Sequence, residues 1–507
     1  MPKLHPRLSR RGGSGALSLL VPLGLVMALG PATPTSAAPG DRGARTFGGN
    51  RVTHVTSGIK ARRDILRDLA VAEREICFET YMLSGSPGRA VAEVLAERAR
   101  AGVRVQVTLH KSQAEPALVA LLQTAGADVR FFDKRLLRLG FVKRLIAVDH
   151  VKLTVIDRRI AWAGGVNFDG DLNRDLMTRI EGPAVEGFLE VFHQGRERWR
   201  EVPRRLGRAM REFVTGAPRA RAFADPRAPR PGQAHITVTR SHALDHSTHD
   251  HIVRMVDRLK RGDGLDLWMM DLSDHALLDA MERAIRERGV RIRAIVDPTN
   301  YFGPTGGVTN TATHALRVTV RAAGRPAFQL TVEPSARVVT CPAFPCELTL
   351  EATGQTVTLR HAKEHAHFTK GALQVRQPSF LERLAEGVPD VYGIYRLQKM
   401  GAQAHVYVAP PGTTQLHAKV YLFHKRTKGA GKTLSAFCGS TNAIASAFLN
   451  NRELAFHLSG GNSCQPIQKA FERDLRHHSR PAEKVDPRGV GPRLKFLLVR
   501  AVTKGLI

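Results

Sequence analysis

Two copies of one short pattern hold the residues of this chain that are best suited to chemistry. Each copy places a histidine two residues before a lysine and an asparagine further on: His150, Lys152 and Asn167, then His417, Lys419 and Asn442. Both begin apolar, β-branched runs that predict buried strands, on which residues two apart share a face. This set suits attack on a phosphate ester, because one histidine can attack phosphorus while the other protonates the leaving oxygen. The lysines and asparagines can hold the non-bridging oxygens.

The pattern resembles the motif of the phospholipase D superfamily, which reads His-x-Lys, four residues, Asp, and then Gly-Ser/Gly-x-Asn. The first copy matches this motif completely, with Asp157 at the aspartate position and Gly164 at the start of the glycine element. It continues from Asp175 in the run DLMTRIEGP, which is similar to the cardiolipin synthase branch. The resemblance covers most of residues 50–460, apart from a long insertion.

The second copy departs from that motif at two places. His424 stands where the aspartate is expected, and a basic insertion at 425–432 delays the element that contains Ser440 and Asn442. Glu453 lies eleven residues after Asn442, a spacing similar to that of the short nucleases of the superfamily. We expect the missing aspartate to affect the support of the second motif strand rather than the chemistry.

The resemblance implies a role for each residue. His150 is expected to be the nucleophile that forms a phosphohistidine, and His417 to protonate the leaving alcohol and then activate water or an acceptor alcohol. The symmetry of the pattern also permits the reverse. The other predicted site residues bind or orient the phosphate or the histidines, or support the motif strand: Lys152, Lys419, Asn167, Asn442, Ser440, Asp175, Glu453 and, as support, Asp157. No metal or cofactor is expected, because the lysine pair supplies positive charge.

The elements that must position the motifs also repeat along the chain. Residues 91–108 and 277–294 each predict an amphipathic helix, a glycine stop and a strand. A further helix–glycine–strand unit precedes each motif. Alternating helices and strands predict an α/β fold of two halves, with mixed sheets flanked by helices. The family resemblance implies that a pseudo-twofold axis relates these halves and that both motifs line one cleft.

Changes in composition divide the chain into segments. We predict, in order, a signal peptide, a first half, an Arg/Pro-rich linker, a second half and a basic C-terminal tail, at 1–38, 50–199, 200–234, 235–475 and 476–507. The second half is longer than the first, and five of its segments alternate apolar and polar residues. These segments predict a small β insertion at about 314–360, as a structural elaboration, a lid or a substrate contact.

The N-terminal residues and the net charge indicate export and a polyanionic partner. A basic start, an apolar run from Ala16 to Gly30 and the small residues Ser36 to Ala38 are typical of a cleaved signal peptide. The protein is therefore expected to be secreted or periplasmic, or peripheral to a membrane. A formal charge of +30 favours an anionic phospholipid membrane or nucleic acid, although solubility alone also explains it.

Cysteines and a histidine-rich segment are further candidates. Cys341 and Cys346 flank a turn that would allow a disulfide, Cys438 and Cys464 are a second candidate pair, and Cys77 is expected to be a buried free thiol. The histidines of segment 361–367 have metal-like spacing, but we interpret the segment as a polar loop.

The sequence therefore predicts an exported, monomeric phosphodiesterase of the phospholipase D type that hydrolyses or transfers phospholipid head groups. The alternative is a secreted, metal-independent nuclease of the same superfamily, although an aromatic content of 6% gives little sign of base-stacking surfaces. A third hypothesis is a non-catalytic protein that binds anionic lipid. The intact His417 and Lys419 speak against it.

Overall fold

The computed structural model describes part of the chain. The described ranges are 45–132, 148–169, 172–196, 233–242, 245–297, 388–410, 413, 415–427, 431–449 and 451–485, together with the strands between 307 and 376. The predicted signal peptide, nearly all of the linker and residues 486–507 of the predicted tail lie outside the described residues.

The first half alternates strands and helices from residue 45 onwards. Its elements are β1 (Arg45–Val55), α1 (Gly58–Ala70), β2 (Glu75–Thr80), α2 (Gly85–Arg100), β3 (Arg104–Leu109), α3 (Pro116–Thr124), β4 (Asp128–Phe131), β5 (Leu153–Ile156), β6 (Ile160–Gly164), β7 (Met177–Glu181) and α4 (Ala184–Gly195). The half thus begins slightly before the predicted residue 50, because β1 is already paired at Arg45.

The second half repeats this order around the insertion. Before the insertion come β8 (Ala234–Ser241), α5 (Ser247–Asp257), β9 (Gly264–Met269), α6 (His275–Arg288) and β10 (Arg291–Val296). The insertion contains β11 (Gly307–Asn310), β12 (Leu316–Ala322), β13 (Phe328–Val332), β14 (Val339–Thr340), β15 (Cys346–Ala352), β16 (Gln355–Leu359), β17 (His365–Thr369) and β18 (Ala372–Arg376). After it come α7 (Val388–Met400), β19 (Gln403–Tyr407), β20 (Lys419–Thr427), β21 (Gly431–Gly439), α8 (Ala445–Leu449), β22 (Glu453–Ser459), α9 (Gln465–His477) and β23 (Ser479–Pro481).

Among the described residues, fifteen strands form one mixed sheet, in the order β23-β19-β10-β9-β20-β21-β22-β8-β1-β7-β6-β5-β2-β3-β4. The antiparallel pair of β1 and β8 joins the two halves. Outward from that pair, β7, β6, β5, β2, β3 and β4 mirror β22, β21, β20, β9, β10 and β19, with the same parallel and antiparallel pairings. The predicted α/β fold of two related halves is therefore confirmed. Both halves share one continuous sheet.

The predicted helix–glycine–strand units are confirmed, and α6 shows how they form. Asp274 caps its N-terminus by accepting a hydrogen bond from the Leu277 N–H at 2.8 Å. Leu277, Leu278 and Met281 are buried on one face. Gly289 ends the helix with a φ of +64°, a left-handed conformation that favours glycine. The chain then turns directly into β10.

Three apolar clusters hold the sheet between its helices. Helices α1, α2 and α3 cover the first half on one side, and α5, α6 and α7 cover the second half. The third cluster belongs to both halves, because α4 and α9 pack together with the central strands. In it, Phe188 of α4 meets Phe456 of β22 with ring centroids 5.7 Å apart. Within the described segments, no helix is long and apolar enough to cross a bilayer.

The insertion is wider than the predicted 314–360. In the described backbone its strands run from Gly307 to Arg376 and form two four-stranded sheets, β14-β11-β17-β18 and β13-β12-β15-β16. The interpretation of residues 361–367 as a polar loop is wrong for the end of that segment, because β17 begins at His365 and pairs with β11 and β18. Alternating small and polar residues conceal this strand in the sequence.

Two further expectations need correction. The predicted boundary at 476 falls within α9, and β23 then pairs with β19, so the body of the protein extends to Pro481 at least. Among the described cysteines, Cys77, Cys438 and Cys464 are free thiols. The predicted pair of Cys438 and Cys464 is therefore wrong. The Cys464 thiol instead donates to the Leu458 carbonyl oxygen at 3.4 Å.

Candidate active site

Each motif histidine lies just before its strand and is fixed by the backbone of the opposite half. The His150 N–H donates to the carbonyl oxygen of Arg452 at 2.9 Å, and the His417 N–H donates to that of Arg174 at 2.8 Å. Strands β5 and β20 hold equivalent places in the sheet. The two motifs, which are 267 residues apart in the chain, therefore meet where the halves join.

The two imidazole rings lie edge to face across this junction, with centroids 6.4 Å apart. A carboxylate from the opposite half holds Nδ1 of each ring. Glu453 Oε2 lies 3.1 Å from His150 Nδ1, and Asp175 Oδ2 lies 2.6 Å from His417 Nδ1. A carboxylate at Nδ1 favours the tautomer whose Nε2 carries the lone pair. Each half thus orients the histidine of the other.

The glycine element of each motif explains how these carboxylates are placed. A side chain on Gly165 would lie 2.2 Å from Asp175 Oδ1, so only glycine fits there. At the equivalent position, Ser440 donates from Oγ to Glu453 Oε2 at 2.5 Å. The first motif therefore needs glycine at this position to make room for Asp175, whereas the serine of the second motif orients Glu453.

The two lysines are buried beside their histidines. Lys152 and Lys419 are 1% and 2% exposed, and each Nζ donates to the carbonyl oxygen of the motif histidine two residues before it. Two residues that the sequence did not single out flank them. The Tyr81 ring lies 5.3 Å from Lys152 Nζ, and Met270 Sδ lies 3.6 Å from Lys419 Nζ. Tyr81 and Met270 directly follow β2 and β9. Their equivalent positions after these two predicted strands could have identified them from the sequence.

Burial shifts the protonation of these groups. Burial lowers the pKa of Lys152 to about 7, with Glu453 acting against the shift and Lys419 adding to it. Burial and then Lys419 lower the pKa of His417 to about 3, against the effect of Asp175. Burial also lowers the pKa of His150 and of Lys419. An anion placed between these groups would offset the shifts, so the site is suited to bind a phosphate group.

The motif asparagines lie at the same site but differ in their contacts. Asn442 Nδ2 donates to Asp271 Oδ2 at 2.6 Å. As far as the structure describes the chain, Oδ1 of Asn167 and Oδ1 of Asn442 are buried without a hydrogen-bond partner. Such atoms are rare in folded proteins and point to a ligand that completes them.

Asp157 and its replacement His424 support the motif strands rather than the site. Asp157 accepts hydrogen bonds from the backbone N–H groups of Glu73, Arg74 and Glu75 at 2.8–2.9 Å. Burial opposes its ionisation, but these hydrogen bonds outweigh burial and lower the pKa of Asp157. It thereby fixes the start of β2 to the end of β5.

The second half achieves the same support with carboxylates from the neighbouring strand β9 and from the turn before it. His424 Nε2 lies 2.6 Å from Asp266 Oδ2, and Asp263 accepts from the Arg426 N–H at 2.8 Å. The missing aspartate is therefore compensated. In the described segments, no group of three or more His, Cys, Asp or Glu residues is arranged to hold a metal ion.

Comparisons with known proteins identify relatives of this arrangement. A family model described as the phospholipase D-like domain of cardiolipin synthase matches residues 65–195 and 255–475. Cardiolipin synthase B of Salmonella typhi is 29% identical over 154 residues, which are 28% of this chain and 37% of that protein. Cardiolipin synthase A of Klebsiella pneumoniae is 28% identical over 159 residues, which are 28% of this chain and 33% of the relative. The chain thus spans about a third of the length of these curated relatives.

A solved structure shows the same fold. The crystal structure of phosphatidylserine synthase from Haemophilus influenzae Rd KW20 aligns with a TM-score of 0.54 at 11% identity. The alignment covers 89% of this chain and 95% of that one. At this identity the likeness concerns the architecture of two joined halves.

Proposed function

This chain belongs to the family of cardiolipin synthase phospholipase D-like domains, and on that premise we propose that it transfers phosphatidyl groups to an alcohol or to water. The observation that carries the proposal is the crosswise pairing of histidines and carboxylates. Two imidazoles with 6.4 Å between their centroids, each held through Nδ1, leave two Nε2 atoms for one phosphorus atom. Curated relatives with the name cardiolipin synthase support a phospholipid as the substrate.

In the proposed reaction, His150 attacks phosphorus. The bond from its Nε2 to phosphorus forms while the bond from phosphorus to the head-group oxygen breaks, and protonated His417 gives its proton to that oxygen. Water or an acceptor alcohol then gives a proton back to His417. The oxygen of that water or alcohol bonds to phosphorus as the bond from phosphorus to His150 Nε2 breaks, and the enzyme returns to its first state.

The two lysines and Asn167 serve the phosphoryl oxygens in this mechanism, whereas Asn442 donates from Nδ2 to Asp271. Lys152 and Lys419 place positive charge in a buried site, where it acts more strongly than in water. The bound phosphate in turn offsets the lysine charge that, with burial, holds the pKa of His417 low. Substrate binding thereby helps His417 to carry the proton that the leaving oxygen needs.

The test compares the wild type with His150→Ala and His417→Ala, and with His193→Ala as a control, because His193 is an exposed residue of α4. Head-group release is measured on phosphatidylglycerol and phosphatidylcholine vesicles, with and without EDTA. Each site variant should lose about a hundredfold or more in turnover, the usual effect of a positioned acid or base, and the control should not.

Two results would contradict parts of the proposal. Full activity in either site variant, or complete loss of wild-type activity with EDTA alone, would contradict the mechanism. Cleavage of plasmid or single-stranded DNA alone, stopped by His150→Ala, would preserve the chemistry and exclude the lipid assignment. Binding to anionic vesicles without turnover would favour a non-catalytic protein.

Export is a second, separate proposal and depends on the sequence of residues 1–38. The mature protein should begin near Pro39 and lie outside the cytoplasm, or on the outer face of a membrane. N-terminal sequencing of protein from an exporting host checks this, and an intact Met1 on cytoplasmic protein contradicts it.

A further inference from the structure

The correspondence between the halves also shows where they differ. The Phe168 N–H donates to the Met82 carbonyl oxygen at 3.3 Å, and the Ala443 N–H donates to the Asp271 carbonyl oxygen at 3.0 Å. Phe168 and Ala443 each follow a motif asparagine, so Met82 and Asp271 hold equivalent positions after β2 and β9. The His150 half has a thioether at this position, and the His417 half has a carboxyl group.

Asp271 lies against the second motif. Its Oδ2 accepts the hydrogen bond from Asn442 Nδ2 at 2.6 Å, and its charge raises the pKa of Lys419 against the effect of burial. Only 9% of its surface is exposed. A carboxylate at this position repels a phosphodiester anion and weakens the lysine charge that should attract it. Asp271 is therefore poorly suited to hold the phosphate.

The neighbouring Asn442 extends the acceptor surface. The hydrogen bond from its Nδ2 to Asp271 fixes the orientation of the amide, and the amide oxygen Oδ1 is buried with no partner in the described part of the chain. Leaving such an acceptor unpaired costs free energy. A carboxyl group and an amide oxygen side by side suit a ligand that brings hydrogen-bond donors, either hydroxyl or ammonium. Asn167, beside Met82, has no such carboxyl neighbour at the equivalent position.

We propose that Asp271, with Asn442 Oδ1, selects the alcohol on the His417 side of the site. The preferred alcohol carries a further hydroxyl or ammonium group, as glycerol and ethanolamine do. This inference rests on the proposed transfer reaction. In that reaction the reacting hydroxyl gives its proton to His417 and bonds to phosphorus as the bond to His150 breaks. Asp271 accepts from the second donor of the alcohol and takes no part in the bond changes.

The experiment measures phosphatidyl transfer from vesicles of phosphatidyl-p-nitrophenol, whose leaving group has no second donor. The acceptors are glycerol, ethanolamine and 1-propanol, and the readout is the ratio of kcat/KM for each polar acceptor to that for 1-propanol. Asp271→Met copies the first half, Asp271→Asn keeps an acceptor oxygen without the charge, and Met82→Leu is the matched control at the equivalent position.

The wild type should prefer glycerol or ethanolamine to 1-propanol, and Asp271→Met should lower that ratio by about tenfold or more. Met82→Leu should leave the ratio unchanged. If ethanolamine is the preferred acceptor, Asp271→Asn should behave like Asp271→Met. If glycerol is preferred, Asp271→Asn should retain part of the preference for glycerol over 1-propanol.

An unchanged ratio in Asp271→Met would overturn the inference. So would an equal loss for all three acceptors, because Asp271 would then only position Asn442. A wild type that releases no p-nitrophenol and transfers to none of the acceptors would instead refute the proposed function itself.

Discussion

The two catalytic candidates differ in how firmly each is held. His417 has a single short contact at Nδ1, to Asp175 Oδ2 at 2.6 Å. Nδ1 of His150 lies between two acceptors, Glu453 Oε2 at 3.1 Å and the Ser440 carbonyl oxygen at 3.2 Å. Glu453 Oε2 also accepts from Ser440 Oγ, so its hold on His150 is shared. This difference is compatible with separate roles for the two histidines.

Binding of phosphate, or of a similar anion, should depend on pH through Lys152. The pKa of Lys152, about 7 in the free protein, must rise when an anion binds, so binding takes up a proton above that value. The affinity should be constant well below pH 7 and fall by up to about tenfold per pH unit above it. The inhibition constant of sulfate for head-group release, measured from pH 5.5 to 9, checks this, because sulfate is a phosphate-like anion whose own charge is constant over this range.

Two lysine variants separate Lys152 from other causes of this pH dependence. Lys152→Arg keeps a permanent charge and should flatten the profile. Lys60→Arg changes an exposed lysine of α1 that pairs with Asp64, and it should behave as the wild type. A flat profile in the wild type would show that Lys152 is already fully charged in the free protein.

Among the elements, the two motif strands reach the same position with different anchors. In the first half, the anchor is Asp157 at the end of β5, with a φ of +51°. In the second half, Asp263 and Asp266 anchor β20 from β9 and the turn before it. The carboxylates have moved from the motif strand to its neighbour, so the pairing of the strands survives the change of sequence.

Asp157→Ala should therefore destabilise the fold without changing a contact of the candidate active site. Loss of three hydrogen bonds to one carboxylate should lower the free energy of unfolding by about 2 kcal/mol at pH 7. Because the pKa of Asp157 is lowered in the folded state, its contribution is complete above the ordinary value of 3.8 and is lost as pH falls below it. Urea unfolding at pH 7 and pH 3 measures the difference between the variant and the wild type.

The matched variants are Asp157→Asn and Asp257→Ala. Asn tolerates the left-handed backbone and should lose less stability than Ala. Asp257 forms an exposed pair with Arg283 and should change stability by less than about 0.5 kcal/mol. An Asp157→Ala variant as stable as the wild type at pH 7 would show that the anchor is dispensable.

Over the whole molecule, the halves are joined by more than the central strand pair. Arg452 of the second half is buried and pairs with Glu79 and Asp149 of the first half. Arg174 of the first half pairs in the same way with Asp474 of the second, at 2.9 Å. Since each arginine directly precedes a carboxylate that holds a histidine, the same contacts join the halves and complete the site.

Arg452→Met should test this joint. Removal of one partner leaves two buried carboxylates uncompensated, which should cost about 3–5 kcal/mol of folding stability and most of the activity. Arg283→Met removes an exposed ion pair and is the control. Thermal unfolding and head-group release are measured on both variants. Wild-type stability in Arg452→Met would mean that the central strands and the shared core alone hold the halves together.

Local patterns predicted much of this, and contacts distant in sequence account for the rest. Apolar periodicity and glycine stops predicted α2, α6 and the strands that follow them, and the motif spacing predicted the site histidines and lysines. The pairing of each carboxylate with the opposite histidine spans 242 and 303 residues. Such pairs depend on the order of strands in the sheet, which periodicity does not encode. Asp271 was not predicted for the same reason. Its role is visible only from its contact with Asn442 and from the comparison with Met82, which holds the equivalent position in the first half.

The crosswise pairing also determines when, during synthesis, an active site can exist. Ribosomes make the first half first, and with it His150, Lys152 and Asp175. The carboxylate that orients His150 is Glu453, which is added near the end of the described chain. A nascent or truncated chain that lacks Glu453 therefore contains a first motif whose histidine has lost the carboxylate that orients it. The candidate site is in this way incomplete until β22, which begins at Glu453, has joined the sheet, so the order of synthesis sets the moment at which the site can form.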